Sequence, residues 1–399
     1  MKNNLLNTIS GTINRRNFLR NMAYIGASGV VATTLQSGMI TNNSTEDPFQ
    51  MGSAPAKQPV KQPAKPTKLT VKLVLENARE TMSPDCQICP QCDGVACAGE
   101  HAIGSVGSGM SFQNNYTSLK RICLRMSTLV DNSDYAGKID TSTVIFGRKL
   151  AFPVLAAPVG PNGTKIGKGM DKAKYFDAII GGCIDAGGGG SIGDNATIPI
   201  DVFKEHCGYM SAVNGPSFIT LKPRPANGII PLIPYIEESG AFMINMDVDS
   251  GPGYLTSELK KIVQSTKLPV VIKGVMTIED AKRARDAGAK GIVVSNHGGR
   301  RLDYTQGTAD VLPLIADAMN GELTIFADGC VRYGGDVLKY LALGADAVYV
   351  GRHIIKAAYG GGREGVALFM NAMKGEFASA MRLTGVTRID QINRNNIVY

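Results

Sequence analysis

The sequence SNHGGR at positions 295–300 decides the fold prediction, because it follows an apolar run, GIVV at positions 291–294. Such a run predicts a buried strand. On the loop that leaves this strand, His297 and Arg300 place a titratable base beside a guanidinium, a group that suits a carboxylate. The two glycines between them allow a flat ligand to approach the backbone closely. By itself, the hexapeptide is equally typical of a glycine-rich turn with a surface arginine and a histidine that only satisfies a hydrogen bond.

The arrangement of a strand that ends in polar or glycine residues occurs four times in succession. The other three strands are predicted at positions 268–274, 324–329 and 345–350. Amphipathic helical stretches, such as positions 278–287 and 335–343, separate them. Repeated strand–helix units with functional groups at the carboxyl ends of the strands are typical of a β/α barrel.

The remaining strands can be placed upstream, which gives eight in all. They are predicted at positions 152–158, 187–193, 217–222 and 241–247, with helices at 111–130 and 173–186. The length of 399 residues accommodates one barrel of about 250 residues and an N-terminal extension. The predicted fold is therefore α/β, a (β/α)8 TIM barrel at positions 151–399, preceded by an extension at 71–150.

The motifs of the barrel resemble those of the FMN-dependent 2-hydroxy acid oxidases and dehydrogenases, which include glycolate oxidase and lactate oxidase. The resemblance extends over positions 153–385 and rests on Lys273, SNHGGR, Leu302-Asp303, Asp328-Gly329 with Arg332, and Gly351-Arg352. It implies that FMN is the cofactor. It also implies an enzyme that oxidises a small lactate- or glycolate-like 2-hydroxy acid to the 2-oxo acid, passes electrons to oxygen or a redox partner, and assembles as a homo-oligomer.

Individual roles are implied by the same resemblance. His297 would remove a proton from the substrate, Asp249 would stabilise the imidazolium, and Arg300 would bind the substrate carboxylate. Lys273 would lie beside the flavin ring, and backbone N–H groups with arginines would hold the phosphate. The residues expected to contact FMN are Ala156, Ala157, Lys273, Ser295, Asp328, Gly329, Arg332, Gly351 and Arg352.

The predicted substrate pocket departs from the family pattern. Thr220 and Lys222 stand where the family has glutamine and tyrosine, and Asp247-Val248-Asp249 replaces Thr-x-Asp. The loop at 250–253 is shortened, and the N-terminal tyrosine of the family has no clear counterpart. Two alternatives therefore stay open: an FMN-binding electron-relay protein, and an FMN barrel enzyme of another chemistry, such as an isomerase.

Four cysteines form a cluster in the extension. Cys86, Cys89, Cys92 and Cys97 follow the pattern C-x2-C-x2-C-x4-C, which is close to a bacterial ferredoxin run. These thiolates could bind an iron–sulfur cluster or a zinc ion. Disulfides and plain reduced thiols are the alternatives, and neither the sequence nor the resemblance decides among them.

The N-terminal positions indicate export. Arg15 and Arg16 precede an apolar stretch at 22–40, a pattern typical of a twin-arginine signal at positions 1–40 that would direct the protein to the periplasm or the membrane. The alternative is an amphipathic helix. Positions 41–70 predict a disordered spacer. Residues 1–70 hold eight Lys/Arg and two Asp/Glu, so most of the net charge of +8 lies there and indicates no nucleic-acid surface.

Overall fold

The structure is a computed structural model that describes residues 68–100, 102–129, 139–251 and 253–399. The predicted signal at 1–40 and the spacer as far as residue 67 lie outside the described residues. None of the helices in the described part of the chain combines the length and the apolar character needed to cross a membrane.

Twelve strands occur along the described chain. In order they are β1 (Cys123–Leu124), β2 (Thr143–Ile145), β3 (Arg148–Leu150), β4 (Val154–Ala156), β5 (Gly190–Gly193), β6 (Ser217–Leu221), β7 (Ile244–Asp247), β8 (Val270–Val275), β9 (Gly291–Val294), β10 (Thr324–Ala327), β11 (Ala347–Val350) and β12 (Ile397–Val398).

The helices alternate with the barrel strands. They are α1 (Val71–Met82), α2 (Met110–Arg121), α3 (Lys172–Phe176), α4 (Gly182–Asp185), α5 (Ile200–Ser211), α6 (Ala226–Ile229), α7 (Ile233–Glu238), α8 (Thr256–Gln264), α9 (Ile278–Asp286), α10 (Thr308–Met319), α11 (Gly334–Ala342) and α12 (Arg352–Leu383). A π-helical turn, Asp177–Gly181, joins α3 to α4.

The strands β4 to β11 form one parallel sheet in the order β4-β11-β10-β9-β8-β7-β6-β5. Its two ends meet, since Leu155 forms a parallel bridge with Gly189, and the N–H of Ala156 donates to the carbonyl of Gly189 at 2.8 Å. The eight strands therefore close into a barrel, and the predicted (β/α)8 fold is confirmed.

The barrel interior is filled by large side chains. The ring of Tyr349 packs against those of Phe218 and Phe326, with centroids 5.4 and 5.2 Å apart, and all three residues are almost completely buried. Ile145 and Leu150 of the hairpin β2–β3 join this inner cluster. Alternate residues of the strands face the helices instead, as the two-residue period of a strand requires. Within the described residues, the interior of the barrel is thus filled by side chains.

The prediction of a helix at 111–130 is wrong for the second half of this range. Helix α2 ends at Arg121, because Ile122 is extended (φ −78°, ψ 124°) and the next two residues pair with β12. Cys123 lies opposite Val398, and Leu124 lies opposite Ile397. Backbone pairing with a distant strand, which a local pattern does not report, overrides the helical periodicity.

The N-terminal helix α1 is fixed to the C-terminal helix α12. The side chain of Asn77 donates to the carbonyl of Gly360 at 3.0 Å, and the hydroxyl of Thr81 donates to the carbonyl of Tyr359 at 3.2 Å. A Cβ atom on Gly360 would overlap the backbone carbonyl of Val74. The two helices can therefore approach this closely only with glycine at position 360.

This contact predicts opposite effects for two glycine substitutions in the same helix. Gly360→Ala should lower the free energy of unfolding by about 1–3 kcal/mol, because the added methyl group forces the helices apart. Gly375→Ala should raise it by up to about 1 kcal/mol, because no atom lies within 4 Å of the added carbon and alanine favours the helix. Urea unfolding of the two variants measures this difference, and equal effects would contradict the close contact.

Candidate active site

The carboxyl ends of the barrel strands border a cavity of about 430 Å³. The predicted site residues on its wall are Ala157, Lys273, His297, Arg300, Asp328, Gly329, Gly351 and Arg352. Four others are not on the wall: Ala156, Asp249, Ser295 and Arg332. Asp249 and Ser295 stand directly behind it, since they hydrogen-bond His297 and Asp328, respectively.

A strained turn at the end of β9 presents His297 to the cavity. Its φ of +57° lies in the left-handed region, which residues other than glycine rarely adopt. Side chains hold the turn: the N–H of His297 donates to the hydroxyl of Ser295 at 3.1 Å, and the N–H of Gly299 donates to the side-chain oxygen of Asn296 at 3.2 Å. Backbone strain maintained by such contacts is typical of functional sites.

The ring of His297 is oriented by Asp249, as predicted. Nδ1 lies 2.8 Å from one carboxylate oxygen of Asp249 and 3.1 Å from the other. A carboxylate only accepts hydrogen bonds, so the proton belongs on Nδ1, and Nε2 is left as an acceptor. This tautomer is the one that a general base needs.

Two residues that the sequence prediction did not include complete this group. Asp247, which is 1% exposed, has one carboxylate oxygen 3.3 Å from Nζ of Lys273 and 3.5 Å from Nδ1 of His297. The ammonium of Lys222 binds the other oxygen, to which the hydroxyl of Ser250 also donates. The signal in the sequence was the Asp-x-Asp at the end of β7, since residues two apart in a strand lie on the same face.

Burial and charge set the protonation of these groups. Burial lowers the pKa of His297 below its ordinary 6.5, and the charge of Lys273 lowers it further, although the two aspartates oppose the shift. Burial would raise the pKa of Asp247, but the charge of Lys273, followed by those of the His297 ring in its protonated form and of Lys222, holds that pKa well below its ordinary value. At neutral pH the imidazole is therefore neutral, and the carboxylate is charged.

The ligating atoms of Asp247, Asp249 and His297 lie within 4.8 Å of one another, a spacing that could hold a metal ion. However, Asp247 already binds the ammonium groups of Lys222 and Lys273. Their positive charges oppose a cation at this point, so the group is suited to proton transfer rather than to metal binding.

A segment of the extension covers the mouth of the cavity. Arg300 donates to the carbonyl of Ala102 at 2.8 Å, and Arg352 donates to the carbonyls of Ile103 and Gly104 at 2.7 and 2.6 Å. Arg300 is exposed at the mouth, but its guanidinium loses part of its hydration there. This desolvation, together with the positive charges of Arg352 and Arg301, lowers the pKa of Arg300 to about 10. An anionic ligand would relieve this repulsion.

Comparison with known proteins decides the family. The profile of the FMN-dependent dehydrogenases matches residues 97–173 and 235–399, which is more than half of the chain. This chain belongs to the FMN-dependent dehydrogenase family.

Relatives across the family share most of the chain. A 2-hydroxyacid oxidase of Dictyostelium discoideum is 32% identical over 334 residues, which cover 75% of this chain and 84% of the relative. An L-lactate dehydrogenase of Caulobacter vibrioides is 31% identical over 354 residues, which cover 74% and 91%. The crystal structure of a mandelate oxidase superposes with a TM-score of 0.68 at 28% identity and covers 82% of this chain and 98% of the other.

The cavity of this FMN-dependent dehydrogenase family member fits the cofactor of the family. Among the residues that the structure describes, no hydrogen-bond partner exists for Thr220 Oγ1 and Asp328 Oδ1, which are buried at its wall, and such atoms need one. The buried ammonium of Lys273 and the backbone of Gly329 and Gly351 border the same space. These residues would hold the flavin and its phosphate.

The residues predicted to bind the phosphate do not all lie on the same cavity. Gly329, Gly351 and Arg352 lie on the main cavity. Arg332 lies on a second cavity of about 350 Å³, with its guanidinium 4.6 Å from the ring of Tyr116. Within the described residues, Arg352 is thus the predicted phosphate arginine that faces the main cavity.

Replacing Arg352 should therefore weaken FMN more than riboflavin, which lacks the phosphate. Arg352→Ala should raise the Kd of FMN roughly tenfold to a hundredfold, because a hydrogen bond to a charged group contributes about 1.5–3 kcal/mol. The Kd of riboflavin should change little. Titration of deflavinated protein measures both constants, and Arg283→Ala, on the exposed face of α9, is the control. Equal losses for both ligands would mean that Arg352 only supports the cover.

Proposed function

We propose that this protein oxidises a 2-hydroxy acid to the 2-oxo acid, with His297 as the base and Arg300 as the carboxylate-binding group. The observation that carries the proposal is the hydrogen bond from Nδ1 of His297 to Asp249 at 2.8 Å, which leaves Nε2 of a neutral imidazole as a proton acceptor at the cavity. The names of the relatives, 2-hydroxyacid oxidase and L-lactate dehydrogenase, support this substrate class.

Each charged group has a separate task in the reaction. Arg300 binds the carboxylate of the substrate through its planar fork of donors, and so fixes the hydroxyl-bearing carbon beside the imidazole. His297 takes a proton at Nε2, and the carboxylates of Asp249 and Asp247 stabilise the imidazolium that results. When bound, FMN would supply the acceptor for the two electrons and the second proton that leave the substrate. The fixed charge of Lys273 favours negative charge in its surroundings.

The side chain of the substrate would lie against the part of the cavity wall whose sequence differs from the family pattern. The family profile does not match residues 174–234, and this region contains Thr220 and Lys222, which line the cavity. The Lys222 side chain is 29% exposed and bound to Asp247. It places an ammonium where the family has a tyrosine, so the preferred acid is best sought with a panel that varies the charge of the side chain.

The first test is substitution of the base and of the carboxylate-binding residue. His297→Gln should retain FMN and lower the rate of flavin reduction by about 10²–10⁴-fold, the usual contribution of a positioned general base. Arg300→Lys should weaken substrate binding as well, because an ammonium lacks the planar fork. Anaerobic stopped-flow reduction with the best acid of the panel separates the two effects, and Arg283→Lys is the surface control.

The pH dependence provides an independent measurement for the same residue. The reduction rate should fall as the pH drops through the pKa of His297, which lies below 6.5 in the free protein, because the protonated ring cannot accept a proton. His297→Gln should lack this acidic limb. Reduction of the variant at the parent rate would remove the proposed mechanism and favour an electron-relay protein that has kept the fold and the cofactor.

We also propose export through the twin-arginine route, on the basis of the pair Arg15-Arg16 before an apolar stretch. Lysine substitution of both residues should leave folded, flavin-containing protein in the cytoplasm, because the signal is recognised through the arginines rather than through charge alone. Cell fractionation measures the distribution, and Arg20→Lys, outside the pair, is the control. Unchanged fractionation of the double variant would contradict the proposal.

A further inference from the structure

The four cysteines of the extension belong to one loop, residues 83–100, which we call the cysteine loop. It leaves α1 and lies against the second cavity, where Cys89 and Cys92 form part of the wall. Cys92 also lines the active-site cavity, so it stands between the two. All four thiols are half-buried, and none is in a disulfide.

Two of these thiols share a space with a cation. Cys89 and Cys92 both line the second cavity, and Lys356 borders it with them.

A buried cation next to the loop points to an anionic ligand. Lys356 is 3% exposed, and its ammonium lies 3.2 Å from Sγ of Cys92. Among the residues that the structure describes, no carboxylate lies within ion-pair distance of this ammonium. Burying an ammonium is costly unless a negative charge or strong acceptor compensates it, and a neutral thiol does so poorly.

The spacing of the sulfurs distinguishes between candidate ligands. A zinc ion holds each thiolate at about 2.3 Å, so its ligand sulfurs lie roughly 4 Å apart or less. In the described structure, no three of the four cysteine sulfurs lie within 4.8 Å of one another. A four-iron cluster binds each thiolate to a different iron atom and therefore accepts sulfurs that lie farther apart. The spacing C-x2-C-x2-C also resembles that of ferredoxins.

We propose that Cys86, Cys89, Cys92 and Cys97 hold a [4Fe–4S] cluster beside the active-site cavity, with Lys356 as the cation that compensates its negative charge. On binding, each thiol forms one sulfur–iron bond and releases its proton to solvent, and two ferrous ions, two ferric ions and four sulfide ions supply the core. No change of oxidation state is needed for assembly. The proposal does not depend on which acid the enzyme oxidises, since the ligands lie outside the catalytic group.

The test is analysis of the full chain purified without oxygen and without reconstitution. We expect about four iron atoms and four acid-labile sulfides per chain, with broad visible absorption beyond the flavin bands and an electron paramagnetic resonance signal after reduction by dithionite. One zinc ion per chain without sulfide, four alkylatable thiols without metal, or disulfides would each overturn the proposal.

Variants assign the cluster to these residues. Cys92→Ser and Cys86→Ser should lower the iron content at least severalfold, while Cys123→Ser, at an exposed cysteine outside the loop, should keep it. Lys356→Met should retain FMN and make the cluster harder to reduce, because the compensating cation is lost. A redox titration measures this shift, which a merely structural lysine would not cause. If the serine variants fail to fold, the metal content of the parent chain still decides the question. Full iron in correctly folded Cys92→Ser would refute the ligand set.

Discussion

The site depends on one buried carboxylate, that of Asp247. Lys222 follows β6, Asp247 ends β7, Lys273 lies in β8, and His297 follows β9, so this single anion ties the ends of four neighbouring strands together. A charge buried to this extent is tolerated only with its partners in place, and removal of one partner leaves the others uncompensated. Because the same charges set the protonation of the imidazole, the stability of the barrel end and the chemistry of the base are linked.

The extension has a second role, as the cover of the cavity. The backbone carbonyls of residues 102–104 accept hydrogen bonds from Arg300 and Arg352. The two arginines that the family pattern assigns to ligand anions thus also hold the cover in place. The same two arginines would donate hydrogen bonds to the cover and to bound anions. The extension therefore directly influences anion binding.

The barrel could be predicted from local signals in the sequence, whereas the pairing of His297 with Asp249 was implied by the family resemblance. Apolar runs marked the strands, and the carboxyl ends of parallel strands always meet at one edge. The same reasoning did not identify the pairing of Lys222 with Asp247, since it arises between side chains on separate strands and has no spacing signature. The family resemblance placed Arg332 with the phosphate residues, whereas its guanidinium lies 4.6 Å from the ring of Tyr116 at the second cavity.

The end of α2 was mispredicted for a related reason. The extended conformation of residues 123–124 is determined by their pairing with β12, which lies more than 270 positions away in the sequence. Contacts at such separation are invisible to a local pattern. The cysteine loop is the reverse case, because its spacing was evident in the sequence but its neighbours, Lys356 and Arg352, became known only with the fold.

The attachment of α1 to α12 and of β1 to β12 also affects the order of folding during synthesis. Ribosomes release a chain from its N-terminal end, so α1 and β1 emerge before the barrel strands. Their docking surfaces, around Gly360 and residues 397–398, emerge last. During synthesis, these two attachments therefore form only when nearly the whole chain has left the ribosome.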